Sequence, residues 1–281
     1  MGIIVVQDVR TLGSSEAQLL LTLASQGKEV FTTADALAVL GDAPHRVNKL
    51  LAGLAGKRWV LRLQRGLYLI LPLEAGVEGT YSVHPFRPVP YLAAPYALAY
   101  WTALQHYGYT EQIPGAIFVE TPAEQASSSL TIEELGLTYR FVTLSPHKFF
   151  GIGHEWIDGQ EIAITDRAKT VIDCLDHPEY CGGIIEAGKG LYDSLTQSEV
   201  SPELLTDYAR RMRNGVIYKR LGYLAELFTL PAGSEIERWQ SYLPAGYSRL
   251  DPTAGNHGPY NSRWRLRLNR TPADLTDWLM H

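Results

Sequence analysis

The chain has 281 residues, of which 46% are hydrophobic and 20% charged, and it carries a formal net charge of −5. That length accommodates two modest domains, and the composition is that of an ordinary globular protein rather than a disordered or fibrous one. The acidic balance speaks against a generic polyanion binder, the two cysteines are too few for a disulfide framework, and no apolar run reaches the roughly 18 residues a membrane helix needs.

The opening Met1-Gly-Ile-Ile-Val-Val6 has neither a basic start nor a cleavage site, so it is not read as a signal peptide, and a cytoplasmic protein is expected. Ser14-Ser15-Glu16 opens a helical pattern in which Leu19, Leu20 and Leu23 recur, and Gly27 closes it. Val30-Phe31 is a candidate short pairing segment. Thr32 or Thr33 caps a second helix carrying Ala34, Leu37 and Leu40. After the turn Gly41-Asp42-Ala43, Pro44 suits the first position of a third helix, where its missing N–H costs nothing. Val47, Leu50, Leu51 and Leu54 share one face of that helix, and His45, Asn48, Lys49 and Ala52 share the other, flanked by Arg46 and Gly53. Trp59–Gln64 alternates as a strand, Arg65-Gly66 turns, and Leu67–Leu71 returns as a second strand.

Three short helices followed by a hairpin predict a winged helix-turn-helix. A recognition helix needs one apolar face to dock on its own domain and a polar or basic face to enter the major groove. From Pro44 to Gly66 there are six basic residues (Arg46, Lys49, Lys57, Arg58, Arg62, Arg65) and no Asp or Glu. A confined basic stretch in an acidic chain is the footprint of contact with a negative surface. Asn48 suits adenine and Arg46 guanine, His45 at the helix start suits a phosphate, and Arg62 and Arg65 on the wing suit backbone or a minor groove. Winged helices also dock proteins, usually through acidic or apolar outer faces. The basic face here favours double-stranded DNA.

Residues 76–92 are rich in Gly, Pro and aromatics (Tyr81, His84-Pro85-Phe86, Pro88, Pro90) and read as a connector. We place the domains at 1–85 and 86–281. In the second, a helix is expected over Pro95–His106 and buried strands over Ala116–Glu120 and Tyr139–Leu144. Glu155–Ile164 reads as a hairpin turning at Asp158-Gly159. A helix capped by Thr165 or Asp166 runs through Leu175, and further helices are expected near 183–193, 202–213 and 216–229. Arg263–Leu268 alternates as a strand. The fold class expected for the chain is therefore α+β, a winged helix followed by a mixed α/β domain.

The order of several short motifs resembles AbiEi-type antitoxins of type IV toxin–antitoxin systems. In the first domain these are Phe31-Thr-Thr-Ala-Asp-Ala36, Pro44-His-Arg-Val-Asn-Lys-Leu-Leu51, and Gly56 to Tyr68 with its Arg65-Gly66-Leu67-Tyr68 wing. In the second they are Phe118-Val-Glu-Thr-Pro122, Lys148-Phe-Phe-Gly151, Ile164 to Leu175, Gly182-Gly183 and Arg263-Trp-Arg-Leu266. The resemblance covers nearly the whole chain, apart from the first eleven residues and 230–262. It implies a repressor that binds inverted repeats in its own promoter. It also implies opposition to a nucleotidyltransferase-like toxin, without a stable toxin–antitoxin complex being required.

Two other function classes have residues behind them. Glu155, Asp158 and Glu161 cluster on one hairpin, as the carboxylates of a metal-dependent nuclease must, although no Glu-x-Lys strand follows. The other alternative is an adaptor whose large domain holds a toxin directly. On the helix after Thr165, Lys169 and Asp173 are four apart and can pair, and Arg167 is the residue there that could reach a partner. Cys174, His177 and Cys181 offer three zinc ligands without a fourth, and Cys174 falls on an apolar phase that suits a core position better. Glu186-Ala-Gly-Lys-Gly190 lacks the spacing of a phosphate loop. No metal, cofactor or catalytic residue is expected, and the chain is read as a non-enzymatic regulator. Arg263, Arg265 and Arg267 share one face of their strand, with Arg270 following. They either touch acidic helices of their own domain or form a second basic surface for nucleic acid.

Overall fold

The computed structural model describes residues 10–76 and 83–280. Met1–Val6 and Tyr81 of the connector lie outside them. The chain divides into two units, one made of residues up to Leu92 together with 130–137, the other of 93–129 and 138–281. The architecture is mixed α/β, with an N-terminal helix-turn-helix unit. Among the described residues no helix is long and apolar enough to cross a membrane.

The first unit begins with α1 (Ser14–Ser25), whose Glu16 side chain accepts from the Gly13 N–H at 2.7 Å. β1 (Val30–Thr32) follows, and then α2 (Thr33–Leu40), α3 (Pro44–Gly56), and the hairpin of β2 (Val60–Gln64) and β3 (Leu67–Ile70). The three strands are antiparallel in the order β1-β3-β2. Of the two candidate caps it is Thr32 that caps α2: its hydroxyl accepts from Asp35 N–H, and the Asp35 carboxylate accepts from Thr32 N–H. Asp35 is also bonded to Lys28 at 2.5 Å, and these contacts, the lysine first, hold its carboxyl down to about 2. Leu19, Leu23, Phe31, Ala36, Val47, Leu51 and Leu54 form a core from every element, and Phe31 stacks on Tyr68 of the wing at 5.6 Å. Within the described part of the connector, α4 (Val89–Leu92) buries Val89 and Leu92. Arg87 bonds Glu29 at 2.7 Å, so the unit reaches beyond residue 85.

The second unit contains β4 (Ala97–Leu98), α5 (Tyr100–His106) and β5 (Ile117–Thr121). β6 (Ser129–Ile132) leads into 130–137, and β7 (Leu137–Thr143), β8 (Ile152–Ile157) and β9 (Gln160–Thr165) follow. Five of these strands are ordered β7-β5-β4-β9-β8. The helix expected over Pro95–His106 starts only at Tyr100. Ala97 and Leu98 instead lie in the sheet, where Leu98 pairs antiparallel with Val119 and parallel with Ile164. Those two neighbours outcompete a helix because the backbone there is fully buried and each polar group needs a partner. The β8–β9 hairpin turns where expected, with Asp158 and Gly159 both at positive φ.

Helices α6 (Arg167–Asp176), α7 (Ile184–Thr196), α8 (Pro202–Met212), α9 (Val216–Leu227) and α10 (Glu235–Ser241) pack into one apolar core. Asp166 caps α6 by accepting from Lys169 N–H. Every α6 residue from Ala168 to Asp176 is buried, so α6 is the central helix rather than an amphipathic one. The C-terminal carbonyls of α6 are taken up by Arg220 of α9, which donates to Leu175 O at 2.7 Å and Asp176 O at 3.0 Å.

A small three-stranded sheet, β10 (Ser248–Arg249), β11 (Tyr260–Asn261) and β12 (Leu266–Arg267), closes the unit before α11 (Pro272–Thr276). The strand expected over 263–268 shrinks to Leu266–Arg267 because Trp264 turns into the core. Its ring packs against Gly222 of α9, where a Cβ would sit 2.0 Å from it, and its Nε1 donates to Glu226. Arg265 takes φ 51°, which breaks the alternation.

Candidate nucleic-acid interface

α3 is built as a recognition helix requires. Pro44 occupies its first turn, and Gly41, at φ 61°, ends α2 in the left-handed conformation that lets the chain turn within three residues. Val47, Leu51 and Leu54 are fully buried, and Leu50 is half-buried. His45, Arg46, Asn48, Lys49 and Ala52 are exposed, as are Lys57 and Arg58 beyond the helix and Arg62 and Arg65 on the wing. All eight side chains expected to meet DNA are therefore accessible.

They are not equally available. Lys57 is tied at 2.8 Å to Glu16, the carboxylate that caps α1, so part of its charge is already compensated. Arg46 lies 3.5 Å from Asp42, a contact at the surface where such pairs contribute little. Arg58 adopts φ 57°, which aims the chain from α3 into β2. At the wing tip Gly66 has φ 78°, and its carbonyl accepts from Thr33 N–H at 2.9 Å. That bond fixes the hairpin against the start of α2 and so sets where Arg65 projects.

Helix and wing enclose a concavity of 680 Å³. Its lining comes from Asn48 and Ala52 on α3, Arg62 and Arg65 on the wing, Thr33 on α2, and Glu134 from 130–137, the stretch that belongs to this unit. Small residues on the helix and arginines on the wing leave room for a strand of nucleic-acid backbone. Glu134 was not legible as part of this surface, because only the tertiary fold brings it there. A carboxylate that shares a concavity with two guanidiniums opposes the approach of a polyanion. Glu134→Gln is expected to tighten DNA binding by severalfold in filter-binding titrations at low salt, with the gain shrinking as salt rises. Unchanged affinity at every salt concentration would remove Glu134 from the surface.

The other candidates resolve in the second unit. In the β8–β9 register Glu155 faces Ile162 and Trp156 faces Glu161, so Glu155 and Glu161 lie on opposite faces of the hairpin. Glu155 is committed to His106 at 2.6 Å, and Asp158 is the turn residue, so the three carboxylates do not converge. Among the described residues no group of His, Cys, Asp and Glu is placed to hold a metal ion. Cys174 and Cys181 are buried free thiols, and burial pushes the Cys174 thiol up. Arg167 bonds Glu199 at 3.0 Å and lies over the Tyr107 ring at 4.5 Å.

The four C-terminal arginines separate. Arg263 pairs with Glu226 at 2.6 Å and Arg270 with Asp251 at 2.8 Å, which answers the acidic-helix alternative for the first. Arg265 donates to the Leu243 and Pro244 carbonyls, and Arg267 to Asn256 Oδ1 and Gly258 O. Lys169 and Asp173 pair as expected, but around a third group that sequence reasoning missed. Glu120 of β5, also fully buried, lies 3.4 Å from Lys169 Nζ. Burial first, and Asp173 second, push the Glu120 carboxyl well up.

Residues 18–70 match the family model described as transcriptional regulator, AbiEi antitoxin. The match spans α1 to β3, from core helix to wing. No curated protein matches. Among solved structures the chain is similar to the RV2827C protein from Mycobacterium tuberculosis, with a TM-score of 0.65 at 16% identity over 98% of both chains. That likeness is one of fold, and it extends through both units.

Proposed function

We infer, from the premise that residues 18–70 carry the regulator domain of AbiEi antitoxins, that this chain is a DNA-binding repressor of its own operon and the antitoxin of a type IV system. The observation that carries the reading is the basic concavity between α3 and the wing, where Asn48, Arg62 and Arg65 meet. Its volume and its two arginines suit the sugar-phosphate backbone beside a major groove entered by α3. The target is double-stranded DNA at inverted repeats of its own promoter. The functional opponent is a nucleotidyltransferase-like toxin, countered without a stable complex. The regulator works by binding alone, without catalysis, in the cytoplasm.

Binding of the purified chain to its own upstream duplex, compared with a scrambled duplex across a salt series, tests the repressor. Preference for the upstream duplex, weakened steeply by salt, is the expected result. Equal or absent binding to both would sink it. Toxicity of the adjacent gene product that is relieved by co-expression of this chain, without co-purification, is the expected result for the antitoxin arm.

A further inference from the structure

The last sheet of the second unit carries a surface that duplex recognition by the first unit leaves unused. Residues 244–270 contain five arginines and no lysine, against a single acid, Asp251, which is a formal charge of 5 − 1 = +4 inside a chain of net −5. Asp251 is buried and spent on Arg270, and Arg263 is neutralised by Glu226. Arg249, Arg265 and Arg267 are held differently. Among the described residues the hydrogen-bond partners of their guanidiniums are neutral oxygens: Ala254 O for Arg249, Leu243 O and Pro244 O for Arg265, and Asn256 Oδ1 and Gly258 O for Arg267. A neutral acceptor fixes a guanidinium in place and leaves its charge uncompensated.

The register then places these charges beside aromatic rings. Arg249 is opposite Arg267, and Arg267 is opposite Tyr260, so the three form one row across the outer face of the sheet. Ser248, Leu266 and Asn261 form the inner row, with Leu266 fully buried. The Arg267 guanidinium lies over the Tyr260 ring at 5.3 Å, and Tyr247 meets Tyr260 edge-on at 4.7 Å between centroids. Both tyrosines are large exposed side chains, at 52% and 60%. A sheet face that presents aromatic rings among fixed, uncompensated arginines has the chemistry on which unpaired bases stack while their phosphates meet guanidiniums. Duplex DNA, with its bases stacked inside, has no use for the exposed rings.

We propose that the outer face of this sheet, with Tyr247 and Tyr260 as stacking residues and Arg249 and Arg267 as phosphate contacts, binds single-stranded nucleic acid. The test uses the full chain and a fluorescein-labelled single-stranded oligonucleotide of mixed sequence, made as DNA and as RNA, read by anisotropy. The upstream duplex serves as a second probe, and tryptophan fluorescence checks that each variant is folded. Tyr260→Ala is expected to weaken single-strand binding about tenfold, whereas Tyr260→Phe, which keeps the ring, retains it. Arg249→Ala with Arg267→Ala lowers the affinity and its salt dependence together. Arg65→Ala on the wing leaves single-strand binding unchanged and weakens the duplex, so failure here and failure of the repressor reading are separate results. The proposal is overturned if the wild type does not bind the single strand, or if Tyr260→Ala binds it as the wild type does. It is equally overturned if Tyr260→Ala weakens duplex and single strand alike, or if Arg65→Ala abolishes both. A ratio of DNA to RNA affinity far from one identifies which strand the surface takes.

Discussion

Replacing Arg62 and Arg65 together by glutamate is expected to reduce affinity for the upstream duplex by on the order of 100-fold or more at ~0.1 M salt, leaving the fold intact. Both side chains are exposed on the wing hairpin and face the concavity beside α3. The turn that carries Arg65 is held through its backbone, by the bond from Thr33 N–H to Gly66 O, and Arg62 sits opposite Tyr68. The substitutions therefore change charge without removing a support. Each lost phosphate contact lowers the slope of log affinity against log salt by ~0.9, so the double variant should lose nearly two units. The alanine pair isolates the contact from the added repulsion. It should show the same change in slope with a smaller loss of affinity. An unchanged slope in either variant would take the wing out of the interface, whatever happens to affinity. Lys57→Ala is the informative contrast. It releases Glu16 and frays α1, so it should lower stability more than it lowers the salt slope.

The first unit was legible because local signals decide its elements. Pro44 starts α3, Gly41 ends α2, the apolar offsets of Val47, Leu51 and Leu54 turn one face inward, and Arg65-Gly66 makes the wing turn. The second unit was legible where the same held, as at Asp166 capping α6 and Asp158-Gly159 turning the hairpin. It failed where long-range pairing overrode local pattern. Leu98 reads as helical by spacing but is claimed by Val119 on one side and Ile164 on the other. Arg263–Leu268 alternates like a strand, yet Trp264 is worth more against Gly222, in a notch no local pattern reveals. The site divides the same way. The basic face of α3 and the wing is contiguous in sequence. Glu134 reaches it, and Arg249 joins Arg267 and Tyr260, only through the tertiary fold.

The cluster of Lys169, Asp173 and Glu120 makes the sharpest prediction about stability. All three are fully buried. Two ionised carboxylates beside one ammonium would leave a net buried charge, which a low-dielectric interior resists. The carboxyl of Glu120 is pushed well up and that of Asp173 up, with burial the leading cause for each. The arrangement that balances is a Lys169–Asp173 ion pair beside a protonated Glu120. Lys169→Met removes the cation of the cluster and is expected to cost ~3–5 kcal/mol, because it leaves the Asp173 carboxyl buried with no charge to balance it. Asp173→Asn should cost less, since Glu120, 3.4 Å from the ammonium, can ionise in its place. Glu120→Gln should cost little near neutral pH, because a neutral side chain replaces one that is already neutral. The pH dependence has a definite sign. A carboxyl whose folded-state pKa is raised contributes fully below its unfolded pKa, and that contribution is lost as pH rises toward the folded value. Wild-type stability should therefore fall between the ordinary carboxylate range and the raised value, by ~1.4 kcal/mol per pH unit for one proton held only in the folded state. Glu120→Gln should flatten that slope. Urea denaturation followed by tryptophan fluorescence reads this in the second unit, which holds Trp101, Trp156, Trp239, Trp264 and Trp278, five of the six tryptophans. A wild type and a Glu120→Gln variant with the same pH profile would show that Glu120 is ionised in the fold. The cluster would then carry an uncompensated charge, and the large cost assigned to Lys169→Met would rest on both carboxylates rather than on Asp173 alone.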